Sequence, residues 1–291
     1  MHRPAAFYKY MSARRAVTAL VTRELRWSSP ILFNDPFDVT QELRLNFDEA
    51  GLTAALNERM AGYLEQGDAS MIRQPALAAT YSVLVQFPLE QRRLMARALR
   101  EVTGPTPGQV SVLADLREKW RELVPTFRIL CLSELRDVTP MWSHYADQYR
   151  GVVLEFSPVY EDSPFLVARP VVYQDDPPAI ADPYVWADRM IGQLGYADLF
   201  MQYQYIKRTA WSYEKEWRIV VPGARPGETG MSAEYGFNRR DLTGIYFGSR
   251  CSETDRSDLL ALLAHGLEHV RAYEAVANVL QGEFMFRAVE R

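Results

Sequence analysis

The sequence predicts an α+β fold. Strand-like runs are short and numerous, and they are not followed regularly by helices, which disfavours a doubly wound parallel sheet. One block, at about 45–124, has helical texture and no chemical motif. The chain has 291 residues, enough for a sizeable core. The expected organisation is a single α+β domain over 1–291 with the helical block as an insertion.

Phe7-Tyr8-Lys9-Tyr10 reads as a short aromatic strand, with Lys9 facing opposite to Tyr8 and Tyr10. A helix is expected over 12–22 and a second short strand at 25–27. Ser28-Ser29-Pro30 is a turn, and Asn34-Asp35-Pro36 a rigid polar loop, because residues before proline are held extended. In the helical block Asp48 can N-cap a helix to about 65. Residues 77–85 read ambiguously, and further helices follow at 87–101 and 110–123. Strand texture returns at 126–133. Thr139 can N-cap a short helix with Pro140 at its first position. That helix carries Met141, Trp142, His144 and Tyr145 towards a strand at 151–156. A strand at 167–173, a largely helical stretch at 182–208, a Gly-rich loop at 223–237 and a strand at 242–248 come next. Ser252 is expected to cap a helix over 254–265, before last strands at 270–276 and 284–289.

Composition narrows the function classes. Hydrophobic residues make up 48% and charged residues 24%, the balance of a globular protein. A net charge of -4 does not indicate a surface that coats nucleic acid. The two cysteines, Cys131 and Cys251, cannot alone make a metal knuckle or a disulfide framework, and no metal ligand set is assigned. No run reaches the ~20 apolar residues of a membrane span, and the start of the sequence lacks the apolar core of a secretory signal. A cytosolic chain with no membrane partner is expected.

The chemistry concentrates in Trp211-Ser212-Tyr213-Glu214-Lys215-Glu216-Trp217-Arg218-Ile219-Val220-Val221-Pro222. The second half reads as a strand closed by Pro222-Gly223. Residues two apart in an extended chain share a face, so Glu214 and Glu216 are expected to project together from the start of one strand, with Trp217, Ile219 and Val221 on the other side, towards a core. Adjacent carboxylates repel and split their pKa values. Lys215 and Arg218 could neutralise them as a plain salt-bridged strand entry. Three aromatics around the pair point instead to a concave, partly apolar site.

Glu214-Lys215-Glu216-Trp217-Arg218-Ile219-Val220-Val221-Pro222 resembles the Glu-x-Glu strand of ADP-ribosyltransferases. Four blocks are also similar to those of a widespread bacterial family of uncharacterised domains. They are Tyr8-Lys9-Tyr10, Phe33-Asn34-Asp35-Pro36-Phe37-Asp38, Met141-Trp142-Ser143-His144-Tyr145-Ala146, and Tyr213-Glu214-Lys215-Glu216-Trp217-Arg218. The transferase resemblance implies two small β-sheets split around a cleft for NAD, which is consumed as substrate. It implies that Glu216 stabilises a cationic ribosyl transition state, while Glu214 orients or deprotonates an acceptor, protein or nucleic acid. Lys9, where that superfamily usually has Arg or His, would contact ribose or phosphate. Tyr8, Tyr10, Asn34, Asp35, Ser133, His144 and Tyr145 complete the expected cleft. An NAD glycohydrolase or ADP-ribosyltransferase of toxin or antiphage type is therefore expected. Two other classes stand beside it. One is a metal-dependent nuclease drawing on Glu134, Asp137, Asp147, Glu155, Glu214 and Glu216. The other is a nucleotide-sensing domain that binds without turnover.

Overall fold

The computed structural model describes residues 3–39, 42, 43, 45–104, 112–175, 182–192, 195, 197–278, 280, 281 and 283–290. The chain divides into two compact units. The first holds Met1–Asp38, Pro125–Tyr173 and Lys207–Arg291, and the second holds Val39–Val124 and Gln174–Ile206.

The first unit is built on one large mixed sheet. Its strands are β1 (Phe7–Met11), β2 (Glu24–Ser28), β3 (Arg128–Ser133), β4 (Val152–Phe156), β5 (Arg169–Pro170), β8 (Glu216–Val221), β9 (Ser232–Gly236), β10 (Leu242–Phe247), β11 (Arg271–Asn278) and β12 (Glu283–Ala288). The order is β12-β11-β10-β4-β1-β3-β2-β9, with β8 on the other edge of β3 and β5 beyond it. Two further short strands, β6 (Val172–Tyr173) and β7 (Ile206–Lys207), pair with each other. The α+β class holds, but two small separate sheets are not what the chain makes.

One place in the large sheet is pinched. β3 pairs with β8 through six residues, Arg128↔Val221 to Ser133↔Glu216. On its other edge it meets β1 only at Tyr8↔Ser133 and β2 only at Ser28↔Ile129. β1 and β2 thus fork away from opposite ends of β3. Midway between them, at the Cys131 carbonyl, Lys9 Nζ donates at 2.7 Å in place of a strand neighbour.

Alternation along the strands sends side chains to two cores. Phe7, Leu130, Leu132, Leu154, Trp217, Ile219 and Phe247 pack on one face with α1 (Ala13–Thr22) and α9 (Glu253–Leu263). Ser12 and Ser252 cap these two helices, as their side chains accept from Arg15 and Asp255 amides. Tyr8, Tyr10, Val153 and Tyr246 point to the other face, which α6 (Thr139–Tyr145) covers with Met141 and Trp142. Val138, not Thr139, occupies the N-cap position of α6, and Pro140 sits in its first turn.

After α6 the chain makes an uncommon turn. Asp147, Gln148 and Tyr149 all have positive φ, at 48°, 52° and 70°. Each such residue is disfavoured by roughly 1–2 kcal/mol. The turn is held by amide bonds from Gln148 to the Ser143 carbonyl, from Tyr149 to Trp142, and from Arg250 to Tyr149. Close backbone approach completes it. A Cβ on Gly248 would lie 2.1 Å from the Tyr149 carbonyl oxygen, and one on Gly151 would lie 2.1 Å from that of Met11.

The second unit is helical: α2 (Glu49–Gln66), α3 (Pro75–Leu84), α4 (Leu89–Glu101), α5 (Val112–Leu123), α7 (Pro183–Ile191) and α8 (Ala197–Tyr203). The ambiguous stretch at 77–85 is therefore helix. Met60, Ala61, Leu64, Tyr81, Ala96 and Ile191 form one cluster, and Trp120 packs on Phe200 and Tyr203. No described helix is long and apolar enough to cross a membrane.

Two expectations along the first unit are corrected. The strand expected over 167–173 starts in the end of a 3-10 turn (Pro164–Val167) and continues as two two-residue strands, because Pro170 interrupts it. The Gly-rich loop expected over 223–237 contains β9, whose pairing with all five residues of β2 outweighs its poor strand composition.

Gly248→Ala should lower stability by roughly 1–3 kcal/mol or more, because backbone rather than a movable side chain meets the new methyl. Gly195→Ala, with nothing within 4 Å of the added atom, is the neutral control. Urea midpoints of the two variants, compared with the parent chain, check this.

Candidate functional site

The fork between β1, β2 and β3 opens into a cleft of about 240 Å³. Tyr8, Lys9, Tyr10, Asn34, Ser133, Tyr145, Glu214 and Glu216 all line it, so eight of the ten expected site residues meet there from distant parts of the sequence. Asp35 and His144 do not line it. Asp35 Oδ1 accepts from the Phe37 amide at 2.9 Å and so shapes the loop itself. His144 is exposed, with Nδ1 3.3 Å from the Tyr213 hydroxyl.

Glu214 is not part of the strand. It closes a 3-10 turn (Thr209–Glu214), and Lys215 then takes a left-handed conformation with φ 45° before β8 starts at Glu216. Simple strand alternation therefore does not relate the two glutamates. A residue further back brings them together. Lys207 Nζ lies 2.6 Å from Glu214 Oε2, 3.1 Å from Glu216 Oε2 and 3.6 Å from Asp38 Oδ2. Trp211 covers this ammonium at 4.9 Å. Lys215, the expected neutralising neighbour, points to solvent instead.

Arg218 is the second cation and is fully buried. It shares the face of Glu216, two residues on along β8. Its Nε and Nη2 bind Glu216 Oε1 and Oε2 at 2.8 and 2.9 Å, and its Nη1 and Nη2 bind Asp38 Oδ1 and Oδ2 at 3.0 and 2.5 Å. Both carboxylates are gripped as forks, the geometry in which a planar guanidinium binds most strongly. Phe33 covers the guanidinium at 5.3 Å. The 33–38 loop is thus fixed through Asp38 and Phe33, and only its own turn uses Asp35.

The remaining polar atoms set orientation. Tyr145 donates its hydroxyl to Glu214 Oε1 at 2.7 Å and accepts from Asn34 Nδ2 at 3.2 Å. Ser133 Oγ donates to the Glu214 carbonyl at 2.7 Å, so it holds the backbone of the turn. Tyr173 accepts from the Glu216 amide at 2.7 Å.

These surroundings split the two carboxyls. Burial pushes the Glu214 pKa up, more than Lys207 pulls it down, and the Glu216 charge adds to the rise. Burial acts on Glu216 in the same direction, but the Arg218 and Lys207 charges and the guanidinium bonds outweigh it and hold the pKa at about 2. Burial also lowers the pKa of Lys9, which among the described residues has a carbonyl and no carboxylate within bonding reach. The cleft therefore holds one carboxylate fixed in its charged form and one inclined to carry a proton.

Three other acids of the nuclease reading are engaged elsewhere. Glu155 accepts from Thr243 and Tyr246, Asp147 from Arg150, and Glu134 from Trp217 Nε1. Among the described residues no group of three His, Cys, Asp or Glu is arranged to hold a metal ion.

A family described as "Protein of unknown function (DUF2971)" matches residues 141–219. That span starts in α6, runs through Lys207 and both glutamates, and ends in β8 just past Arg218. The four sequence blocks lie partly outside it. No curated protein and no solved structure matches the chain.

Lys207 was not expected at the site, whereas Asp38, expected with Asp35 to bind backbone amides or a basic residue of the cleft, binds Arg218 and lies 3.6 Å from Lys207. Lys207 sits seven and nine residues ahead of the glutamates. Only the 3-10 turn between them folds it back. Asp38 was visible as the last residue of the polar loop, but its partner lies 180 residues away.

Arg218→Met should cost about 3–5 kcal/mol, because it leaves Asp38 and Glu216 buried without their guanidinium. Loss of the denaturation midpoint by less than 1 kcal/mol would contradict the geometry. The pH dependence follows from Glu216. Its folded pKa lies below its ordinary 4.5, so the native chain holds fewer protons there than the unfolded one. Its stabilisation is present above about 4.5 and drains away as pH falls towards about 2. Urea midpoints measured from pH 6 down to about pH 3 should therefore fall less steeply for Glu216→Gln than for the parent, even though the variant is weaker overall.

Proposed function

We propose that the cleft consumes NAD, as a glycohydrolase or an ADP-ribosyltransferase. One observation carries the reading: Glu214 and Glu216 meet on Lys207 with opposite pKa shifts. Breaking the bond between nicotinamide and ribose sends the bonding pair to nicotinamide and leaves positive charge on the sugar. A carboxylate already fixed and ionised is suited to stabilise that charge without reorganising. Glu216 has that character. The nucleophile that captures the sugar, water or an acceptor hydroxyl, must lose a proton. Glu214, with its raised pKa and its tie to Tyr145, is suited to take it.

A second reading has its own support. Glu216 is already saturated by Arg218 and Lys207, which suits a rigid floor for a bound nucleotide without turnover.

The experiment is to incubate the purified chain with NAD and follow nicotinamide release and acceptor labelling together. Under the first reading Glu216→Gln should lower nicotinamide release by roughly 10²–10³, the usual loss when a charge aimed at a developing ion is removed. Glu214→Gln should depress labelling while slow hydrolysis persists. Saturable NAD binding with no nicotinamide release from the parent chain would replace the first reading by the second.

A further inference from the structure

A second cavity, of about 430 Å³, adjoins the cleft. The two share Lys9, Tyr10, Arg26, Ser28 and Tyr145 as a common wall, so they are chambers of one groove running past the fork. Their chemistry differs. The first chamber holds the glutamates, Asp38 and Lys207. The second is lined by Lys9, Arg15 and Arg26, with His144 at its wall. Among the described residues none of these three cations has a carboxylate within 4.0 Å. Arg26 Nε is buried and has no hydrogen-bond partner there. The N-terminal end of α1, marked by its cap Ser12, opens on the same chamber and adds its partial positive charge. Two acids, Glu24 and Glu234, also line it. Burial pushes Glu234 towards its neutral form.

We infer that this second chamber is an anion subsite that takes the phosphate of a ribose phosphate. Arg15 and Arg26 supply the charge, Lys9 being committed to the Cys131 carbonyl, and the buried Arg26 Nε supplies a donor that awaits an acceptor. Glu24 and Glu234 suit the hydroxyls of the attached sugar. Size points the same way. Pockets for whole small-molecule ligands run from about 300 Å³ upward, so the first chamber alone has room for a riboside-sized fragment. A dinucleotide must extend into the second. Tyr145 separates the chambers and bonds Glu214, so an anion held by Arg15 and Arg26 lies across one side chain from the reacting groups. The inference rests on the reading above only for the identity of the ligand. The phosphate can belong to NAD or to a phosphorylated acceptor.

Titration calorimetry of the full chain with ribose 5-phosphate, against ribose as the phosphate-free reference, tests the subsite. Ribose 5-phosphate should bind saturably and ribose at least tenfold more weakly. Arg15→Gln and Arg26→Gln should each weaken ribose 5-phosphate by roughly ten- to hundredfold, the effect of losing a charged hydrogen bond. Arg15 is exposed, so its replacement leaves the fold intact. Equal binding of the two sugars, or unchanged affinity in both arginine variants, overturns the proposal. The source of the phosphate shows in kinetics. A raised KM for NAD in Arg15→Gln assigns it to the dinucleotide. Unchanged nicotinamide release with reduced labelling of a phosphorylated acceptor assigns it to the acceptor. A chain that binds ribose 5-phosphate through Arg15 and Arg26 yet releases no nicotinamide keeps the subsite and loses the NAD reading.

Discussion

The structure turns on the burial of Arg218 between Asp38 and Glu216. Taking a guanidinium and two carboxylates out of water is costly, and their attraction offsets that cost only when the geometry is good and every donor is used. Here both forks are complete, and Phe33 seals the face of the guanidinium. The arrangement ties three stretches that share no local sequence. Asp38 brings the 33–38 loop, Glu216 brings the start of β8, and Lys207, sharing the same carboxylates, brings the turn that carries Glu214. Such a network adds little net stability over an apolar core of equal volume. Its effect is to make one arrangement of the cleft far better than its alternatives.

The sheet explains why the cleft lies where it does. A central strand normally spends its backbone groups on two neighbours. β3 has one full neighbour, β8, and two partial ones that diverge. The gap leaves room between strands, and Lys9 fills the missing bond while remaining exposed to both chambers. The cavity is therefore a direct product of topology. Strand residues of β1, β2 and β3 form one part of its wall, and the 33–38 loop, α6 and the turn at Glu214 close the rest.

Much of this was readable beforehand, and what was not has a common cause. Two capped helices announced themselves: Asp48 and Ser252 each accept the amide three residues on. The α+β class followed from short strands. Trp217 and Ile219 reached the expected core because alternation within β8 is regular. Failures came where long-range contacts overrule local preference. β9 forms inside a Gly-rich stretch because β2 needs a neighbour. Glu214 leaves the strand because Lys215 turns left-handed, which a β-strand pattern cannot encode. Lys207 is an ordinary charged residue in the sequence, and the partners of Asp38, though a basic residue of the cleft was expected for the loop, lie far along the chain. The meaning of both residues arises only when the chain returns on itself.

The three left-handed residues after α6 bear on the order in which the molecule assembles. Their local preference runs against the native shape, and the amides of Gln148 and Tyr149 on α6 carbonyls oppose it. Further bracing comes from outside, from Gly248 standing against Tyr149 and from the Arg250 amide on its carbonyl. Both come from the far end of β10, well after the glutamates in the sequence. A nascent chain that has already emerged through β8 holds every acid of the cleft and both hydrogen-bond partners of Tyr145, but not the residues that brace the turn after α6 from outside. The fully braced cleft is consequently a late event of folding, with a high separation in sequence between the parts that close it. A chain halted before Gly248 would carry the acids of the cleft without that outside bracing.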